Sequence, residues 1–159
     1  FNKRIKEELQ DEDNVVYKDL TSLYGDFNID IKKEQEDLIN ASKIIFQFPL
    51  YWYTIPSLLK KYVDDVFSYG FAYELNDEVF NPLALKNKEF QMIVTIGAKK
   101  ESYVGERRLS VEQCLNSSSY TAQILGMKEL EMFKIHGASF NEHTNNMDNL
   151  MCDMKKAVL

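Results

Sequence analysis

The fold is decided by residues 46–73, which read FQFPLYWYTIPSLLKKYVDDVFSYGFAY. An apolar run over 43–48 comes just before Pro49 and is typical of a parallel strand covered on both faces. Three adjacent aromatic residues follow it. From 55 to 68 the apolar residues recur at the i, i+3, i+4 and i+7 spacing of an amphipathic helix. The stretch therefore predicts a strand, a ring-bearing turn and a helix in direct succession.

The same alternation of strands and helices extends over the rest of the chain. Asp30 is an N-cap candidate, and Gly126 is a candidate helix stop. The segment 69–88 contains breakers and is predicted to be a long loop. The pattern indicates an α/β fold with a mainly parallel sheet. The predicted helices are 1–10, 31–41, 55–68, 106–124 and a last helix with Met147, Leu150, Met151 and Met154 on one face, and the predicted strands are 15–19, 43–48, 90–96 and 130–135.

Size and charge limit the classes of protein to which this chain can belong. A length of 159 residues with 45% hydrophobic residues fits one domain with a substantial core. The formal net charge of −6 argues against a nucleic-acid partner, because phosphates require a basic face. No apolar stretch approaches the roughly 20 residues that cross a bilayer, so no membrane insertion is expected.

The cysteines and histidines indicate neither a disulfide nor a metal site. Cys114 and Cys152 both fall at apolar helix positions, outside any Cys-x-x-Cys pair. We interpret them as buried thiols of a protein in the reducing cytoplasm. His136 and His143 have no partner at ligand spacing, so no metal is expected.

The aromatic turn follows a predicted strand end, where ligands of open α/β sheets bind. It consists of Pro49, Leu50, Tyr51, Trp52 and Tyr53. Its rings suit a flat, anionic cofactor, because ring contacts contribute roughly 0.5–1.5 kcal/mol each beyond area burial. Its N–H groups can bind the polar edge of such a ring. From these residues alone, an aromatic cluster that caps the core is an open alternative.

Residues 46–73 closely resemble the flavodoxin-like NAD(P)H:quinone oxidoreductases, the family of DT-diaphorase and its bacterial relatives. The family includes ancillary subunits of potassium efflux antiporters. The resemblance implies a flavodoxin-like three-layer α/β/α domain over 1–159 with a parallel sheet. It also implies that the first strand and most of a phosphate loop lie upstream of Phe1, with Asn2 at the edge of the phosphate site.

The resemblance further implies a bound flavin, FMN or FAD with a slight preference for FMN. The five turn residues would hold it, together with a second segment that matches the family pattern Thr-Thr-Gly-Gly. That segment is Thr95, Ile96, Gly97 and Ala98, so the chain departs from the pattern at its second and fourth positions. Glycine at a strand end lets the backbone approach a ligand closely. The alanine retains such a contact only if its φ angle is negative.

Tyr103 matches a family tyrosine that approaches the flavin, and it is the candidate catalytic residue. A phenol donor there stabilises the negative charge that develops on the reduced ring. Related proteins carry a histidine shortly afterwards, where this chain has Arg107 and Arg108. Either a guanidinium takes over the electrostatic role or both arginines are solvated helix residues.

The segment 69–73 matches a family segment that covers the flavin of the partner subunit. The resemblance implies that Phe71 and Tyr73 form the substrate pocket of a homodimer. A hydrophobic anchor for the long loop is the alternative. Exposed aromatic residues are enriched in permanent interfaces, which favours the dimer.

The resemblance implies a cytoplasmic enzyme that passes hydride from NADPH or NADH to a quinone or similar acceptor by a ping-pong mechanism. Three alternatives remain open. The chain is a regulatory ancillary subunit of a glutathione-gated potassium efflux antiporter, a flavodoxin-type one-electron carrier, or a flavodoxin-fold protein that has lost its flavin. The missing histidine and the departures at Ile96 and Ala98 motivate the last of these.

Overall fold

A computed structural model describes residues 1–106, 108–140 and 146–159. A 3-10 helix spans Lys100–Tyr103. The other elements in chain order are α1 (Asn2–Leu9), α2 (Leu20–Tyr24), α3 (Ile31–Asn40), β1 (Lys43–Pro49), α4 (Ser57–Val66), β2 (Tyr73–Asn76), β3 (Val79–Pro82), β4 (Glu89–Thr95), α5 (Val111–Cys114), α6 (Asn116–Ile124), β5 (Lys128–Glu129), β6 (Phe133–Ile135) and α7 (Met147–Val158).

The main sheet is parallel and has β4 at its centre. β1 pairs with β4 along its whole length, from Lys43 opposite Glu89 to Pro49 opposite Thr95. β5 and β6 both pair in parallel with the other edge of β4. The single strand predicted at 130–135 is therefore wrong in detail, because β5 ends at Glu129 and β6 begins at Phe133. The buried Gln91 amide donates there to the carbonyl of Glu131 at 2.8 Å.

Helices cover the sheet on both faces, which confirms the three-layer α/β/α architecture. Alternate residues of β1 and β4 point to opposite faces, as the pleat requires. Phe46 and Met92 belong to the larger core cluster, which α3 to α6 cover. Ile93 belongs to a second cluster, with α1 and α7.

Local capping explains where two helices begin. Asp30 caps α3 and accepts a hydrogen bond from the Lys33 amide at 3.2 Å, as predicted. The helix predicted at 106–124 is wrong at its start. Ser110 and Gln113 form a reciprocal capping box, so the helix begins at Val111.

A hairpin occupies part of the segment that the sequence predicted as a loop. β2 and β3 pair antiparallel, and Asp77 and Glu78 connect them. Both connecting residues have positive φ angles, 50° and 65°. This is the left-handed pair that two-residue hairpins require and that glycine adopts most easily. The hairpin lacks the Asn-Gly or Asp-Gly signal, which is why periodicity alone missed it.

Glu78→Gly is expected to raise the free energy of unfolding by about 0.5–1 kcal/mol, because glycine adopts positive φ without steric strain. Urea unfolding measures the change. Glu36→Gly on the exposed face of α3 is the matched control and is expected to destabilise by about 1 kcal/mol. Destabilisation by both changes would contradict the assignment of strain to the hairpin turn.

The segment 15–19 is extended and forms no ladder with the described strands, so the predicted strand there is wrong as stated. Its side chains nevertheless alternate. The Tyr17 hydroxyl donates to Gln47 Oε1 at 2.7 Å, whereas Lys18 contacts α3. A groove of about 1230 Å³ lies along β1 and this segment.

A buried ionic cluster joins the extended segment to α3 and α4. The Glu34 side chain is fully buried and accepts hydrogen bonds from Lys18 at 2.7 Å, Tyr24 at 2.6 Å and Tyr62 at 3.1 Å. Lys18 also contacts Asp37. Burial, reinforced by Glu34, raises the pKa of both tyrosines, so they remain hydrogen-bond donors. Burial alone would lower the pKa of Lys18, but its bonds to Asp37 and Glu34 raise it.

The cysteines depart from the prediction of buried thiols. Cys152 is exposed and Cys114 is half-buried, and burial raises the Cys114 pKa. His143 and Arg107 lie outside the described residues. Within the described ranges there is no group of three or more His, Cys, Asp or Glu residues that could hold a metal ion. None of the helices in those ranges combines the length and hydropathy that a membrane span needs.

Candidate functional site

Three loops meet at the carboxyl edge of the main sheet. They follow β1, β4 and β6, whose last residues are in register: Pro49 lies opposite Thr95, and Thr95 lies opposite Ile135. The Leu50 amide donates to the Thr95 carbonyl at 2.9 Å, which extends the register into the first loop. The loops therefore emerge side by side, where ligands of open α/β sheets bind.

The aromatic turn after β1 is tight and exposed. Tyr51 and Thr54 exchange backbone hydrogen bonds of 3.1 and 3.0 Å. Trp52 and Tyr53 between them have φ angles of 46° and 64°. Left-handed backbone is costly for bulky residues and concentrates at functional sites. The Trp52 side chain is 91% exposed, so the turn does not cap the core with its indole.

Asn2 lies at the start of α1 and contacts the ends of β1 and β4. Its Oδ1 atom accepts hydrogen bonds from Gln47 Nε2 at 2.5 Å and from Thr95 Oγ1 at 3.1 Å. The Thr95 hydroxyl is therefore hydrogen-bonded to Asn2, and Thr95 is buried. The helix N-terminus, whose first N–H groups have no partner within the helix itself, faces this edge of the sheet.

The loop after β4 is held by the loop after β6 through its backbone. Ile96 donates to Ile135 and accepts from Ala138, both at 2.9 Å or less, and its side chain is buried. Ile96 thus presents neither backbone nor side chain to a ligand. Gly137 donates to the Ala98 carbonyl at 2.9 Å.

Gly97 and Ala98 have backbone N–H groups that a ligand could use as donors. Within the described ranges, neither backbone N–H group forms a hydrogen bond. Ala98 lies outside the positive-φ region, so the replacement of glycine at this position leaves the backbone unstrained. A Cβ atom on Gly97 would lie 2.7 Å from Ser139 Oγ, so a larger residue there requires the Ser139 hydroxyl to move.

Tyr103 ends the 3-10 helix and contacts rings from the other two loops. Its ring centroid lies 6.3 Å from that of Tyr53 and 5.9 Å from that of His136. Burial, with Cys114 and Tyr53, raises its pKa. The phenol therefore stays protonated and can donate a hydrogen bond at neutral pH.

The remaining candidates lie apart from these contacts. Phe71 and Tyr73 pack against the larger core cluster, and the Tyr73 ring stacks on Phe80 with centroids 4.7 Å apart. Arg108 donates to the Glu101 carbonyl at 2.9 Å. These contacts fit the anchoring role that the sequence left open for the aromatic pair.

The arrangement fits a flat ring with a polar edge. The Gly97 and Ala98 amides can donate to ring oxygens and nitrogens, the Tyr103 hydroxyl offers a third donor, and Trp52 and Tyr53 offer exposed aromatic surface. An isoalloxazine has these requirements. Ser139 and His136 also belong to this region through tertiary contacts with the β4 loop, and neither was a predicted site residue.

Known proteins resemble the chain over nearly its whole length. The profile of a family with a flavodoxin-like fold matches residues 1–157. The uncharacterized NAD(P)H oxidoreductase YrkL of Bacillus subtilis is 32% identical over 160 residues, 98% of this chain and 89% of that protein. The potassium-efflux ancillary protein KefF of an Enterobacter species is 36% identical over 135 residues, 85% of this chain and 74% of that protein.

A solved structure extends the similarity to a protein with a bound cofactor. General stress protein 14 of Treponema denticola, solved in complex with FMN, superimposes with a TM-score of 0.85 at 25% identity. The match covers 97% of this chain and 86% of that protein.

Proposed function

Because this chain belongs to the flavodoxin-like fold family, we propose that it is a flavin-dependent NAD(P)H oxidoreductase that reduces quinones or similar acceptors. One observation carries the proposal: the Gly97 and Ala98 amides, which form no hydrogen bond to the described residues, lie in the loop that also presents Tyr103 to the aromatic turn. FMN is favoured over FAD, because a solved relative is a complex with FMN.

The residues present would hold the flavin in a defined way. The Gly97 and Ala98 amides would bind the polar edge of the ring, and Asn2 at the start of α1 would lie towards the phosphate. The bound flavin supplies hydride chemistry, with NADPH or NADH as donor and the acceptor reacting in turn. Tyr103 keeps its proton on Oη and donates a hydrogen bond where negative charge develops.

A homodimer would complete the pocket. Tyr69 is 65% exposed and contacts Tyr73 edge to face, with centroids 5.9 Å apart. Phe71 and Tyr73 pack on the core but are only half-buried, and their exposed surface would line the acceptor site from the partner subunit, in a cytoplasmic enzyme. Sedimentation of the purified protein tests the dimer.

A spectrum of the purified protein tests the proposed activity. We expect flavin absorption after addition of FMN, bleaching on anaerobic addition of NADPH, and recovery after addition of a quinone. FMN that binds but is not reduced by NADPH or NADH would favour a one-electron carrier. Failure to bind FMN and FAD would contradict the proposal and favour a protein that has lost its flavin.

Trp52→Ala is expected to weaken FMN binding about tenfold, because it removes aromatic contact area from the turn. Fluorescence titration with FMN measures the dissociation constant. Lys61→Ala is the matched control, because Lys61 forms only a surface pair with Asp65 on α4. Equal affinity in the two variants would refute a role for the indole.

A second candidate role follows from the similarity to KefF, which is named as an ancillary protein of a potassium-efflux system. This chain would then bind an antiporter in addition to its redox activity. Copurification with the antiporter from membranes, and ion flux that depends on the protein, would support this role. Full redox activity without such binding would support the oxidoreductase role and contradict the ancillary role.

A further inference from the structure

His136 stands in the third loop of the site and its backbone surroundings are fixed. It follows β6 directly and precedes Gly137, which has a φ angle of 71°. The residues on both sides are bonded to the β4 loop: Ile96 donates to Ile135 at 2.8 Å, and Ala138 donates to Ile96 at 2.9 Å. The imidazole therefore projects from a backbone position that the sheet determines.

The His136 ring contacts the ring of the candidate catalytic residue. The planes of the His136 and Tyr103 rings meet at 61°, with centroids 5.9 Å apart. Tyr53 contacts the same tyrosine, at 66° and 6.3 Å. Tyr103 is thus held between rings from two other loops. Edge contacts of this kind restrict the orientation of the Tyr103 ring, and they do so without any hydrogen bond to its hydroxyl.

We propose that His136 is a positioning residue that directs the Tyr103 hydroxyl towards the cofactor through the contact between their rings. The inference rests on the proposed flavin site. It requires an imidazole-sized ring at this position, and it assigns His136 no contact with the substrate.

The charges around His136 keep its ring neutral near pH 7. Burial lowers the pKa of His136, and Lys134 and Lys100 lower it further, against the opposing Glu112 and Glu101. These groups come from β6, the 3-10 helix and α5. Lys134 also binds Glu112 and holds the pKa of that carboxyl at about 2, so this pair persists at lower pH.

A double-mutant cycle tests whether His136 acts through Tyr103. His136→Ala is expected to weaken FMN binding about tenfold in the wild-type background and by no more than about twofold in the Tyr103→Phe background. His136→Phe keeps a ring and is expected to restore most of the affinity. Tyr120→Ala, which truncates an exposed ring on α6, is the control. Equal losses from His136→Ala in both backgrounds would overturn the inference.

A measurement without cofactor separates this inference from the proposed function. In the apo protein with labelled tyrosines, Tyr103→Phe identifies the Tyr103 NMR signal. His136→Ala is expected to move that signal and to shift its titration back towards the ordinary pKa of 10.0, because the ring becomes more exposed. An unmoved signal would overturn the positioning role even if FMN does not bind.

The pH dependence of stability provides a third readout. The folded-state pKa of His136 lies below its ordinary value of 6.5. The contribution of the neutral His136 ring to the free energy of unfolding is therefore complete above pH 6.5, and it is lost as the pH falls through the lowered folded-state pKa. His136→Phe is expected to flatten the stability profile below pH 6.5, as urea unfolding at several pH values will measure. An unchanged slope would contradict the burial of a neutral imidazole.

Discussion

Lys18→Met is expected to lower the free energy of unfolding by about 3 kcal/mol, the lower end of the range for removing one partner of a buried ion pair, because the Lys18 side chain is 20% exposed. Among the described residues, the change leaves the fully buried Glu34 carboxylate with the hydroxyls of Tyr24 and Tyr62 as its side-chain donors. Methionine matches the length of the lysine stem, so the lost charge dominates the effect. Urea unfolding at pH 7 measures the difference.

Two further variants isolate the cause. Lys60→Met removes an exposed lysine that pairs with Asp64 along α4, and a change of less than about 1 kcal/mol is expected. Glu34→Gln added to Lys18→Met removes the uncompensated charge and is expected to recover part of the lost stability. A similar loss of stability in Lys18→Met and Lys60→Met would show that the cluster around Glu34 stabilises the protein no more than an exposed surface pair does.

Gly97→Val is expected to weaken FMN binding by roughly 10- to 100-fold, since overpacking of a tight site typically costs 1–3 kcal/mol. The first added carbon would already meet Ser139 Oγ at 2.7 Å. The Ser139 hydroxyl must then turn away, and the two further methyl groups of valine are expected to crowd the loop that carries the Gly97 and Ala98 amides. Titration of the apo protein with FMN gives the affinity, and thermal unfolding shows whether the fold is retained.

A compensating pair tests the steric explanation for Gly97. Gly97→Ala alone is expected to weaken binding less than valine does. Ser139→Ala should restore most of the loss, because it removes the atom that the new carbon meets. Ser139→Ala by itself is expected to bind FMN normally. If the double variant binds no better than Gly97→Ala, the glycine is required for another reason.

Much of the fold was predictable because local signals agree with the packing. The apolar run before Pro49 became β1, and Asp30 caps α3 as its position suggested. The wrong predictions concern segments where the local sequence signal and the tertiary contacts disagree. The hairpin turn at Asp77 and Glu78 lacks glycine and is retained by cross-strand pairing and ring stacking. The extended segment 15–19 has strand periodicity, but periodicity does not reveal a pairing partner.

The site was predictable in outline, and its contacts were not. The sequence selected the aromatic turn, Gly97 and Tyr103, and the structure brings Tyr53 and Tyr103 into ring contact. The sequence did not indicate that the backbone of Ile96 is hydrogen-bonded to the loop after β6. Nor did it indicate that the Ser139 hydroxyl lies close to the Cα of Gly97. Residues 96 and 135 are far apart in sequence, and only the register of β4 with β6 brings them together.

The full-length pairing of β1 with β4 has a consequence for how this protein can diverge. Seven consecutive residue pairs fix the height at which both loops leave the sheet. An insertion or deletion within either strand would exchange core and opposite faces for every later residue in it. Length variation among descendants should therefore accumulate in the loop tips, where new specificities can arise without disturbing the strands beneath.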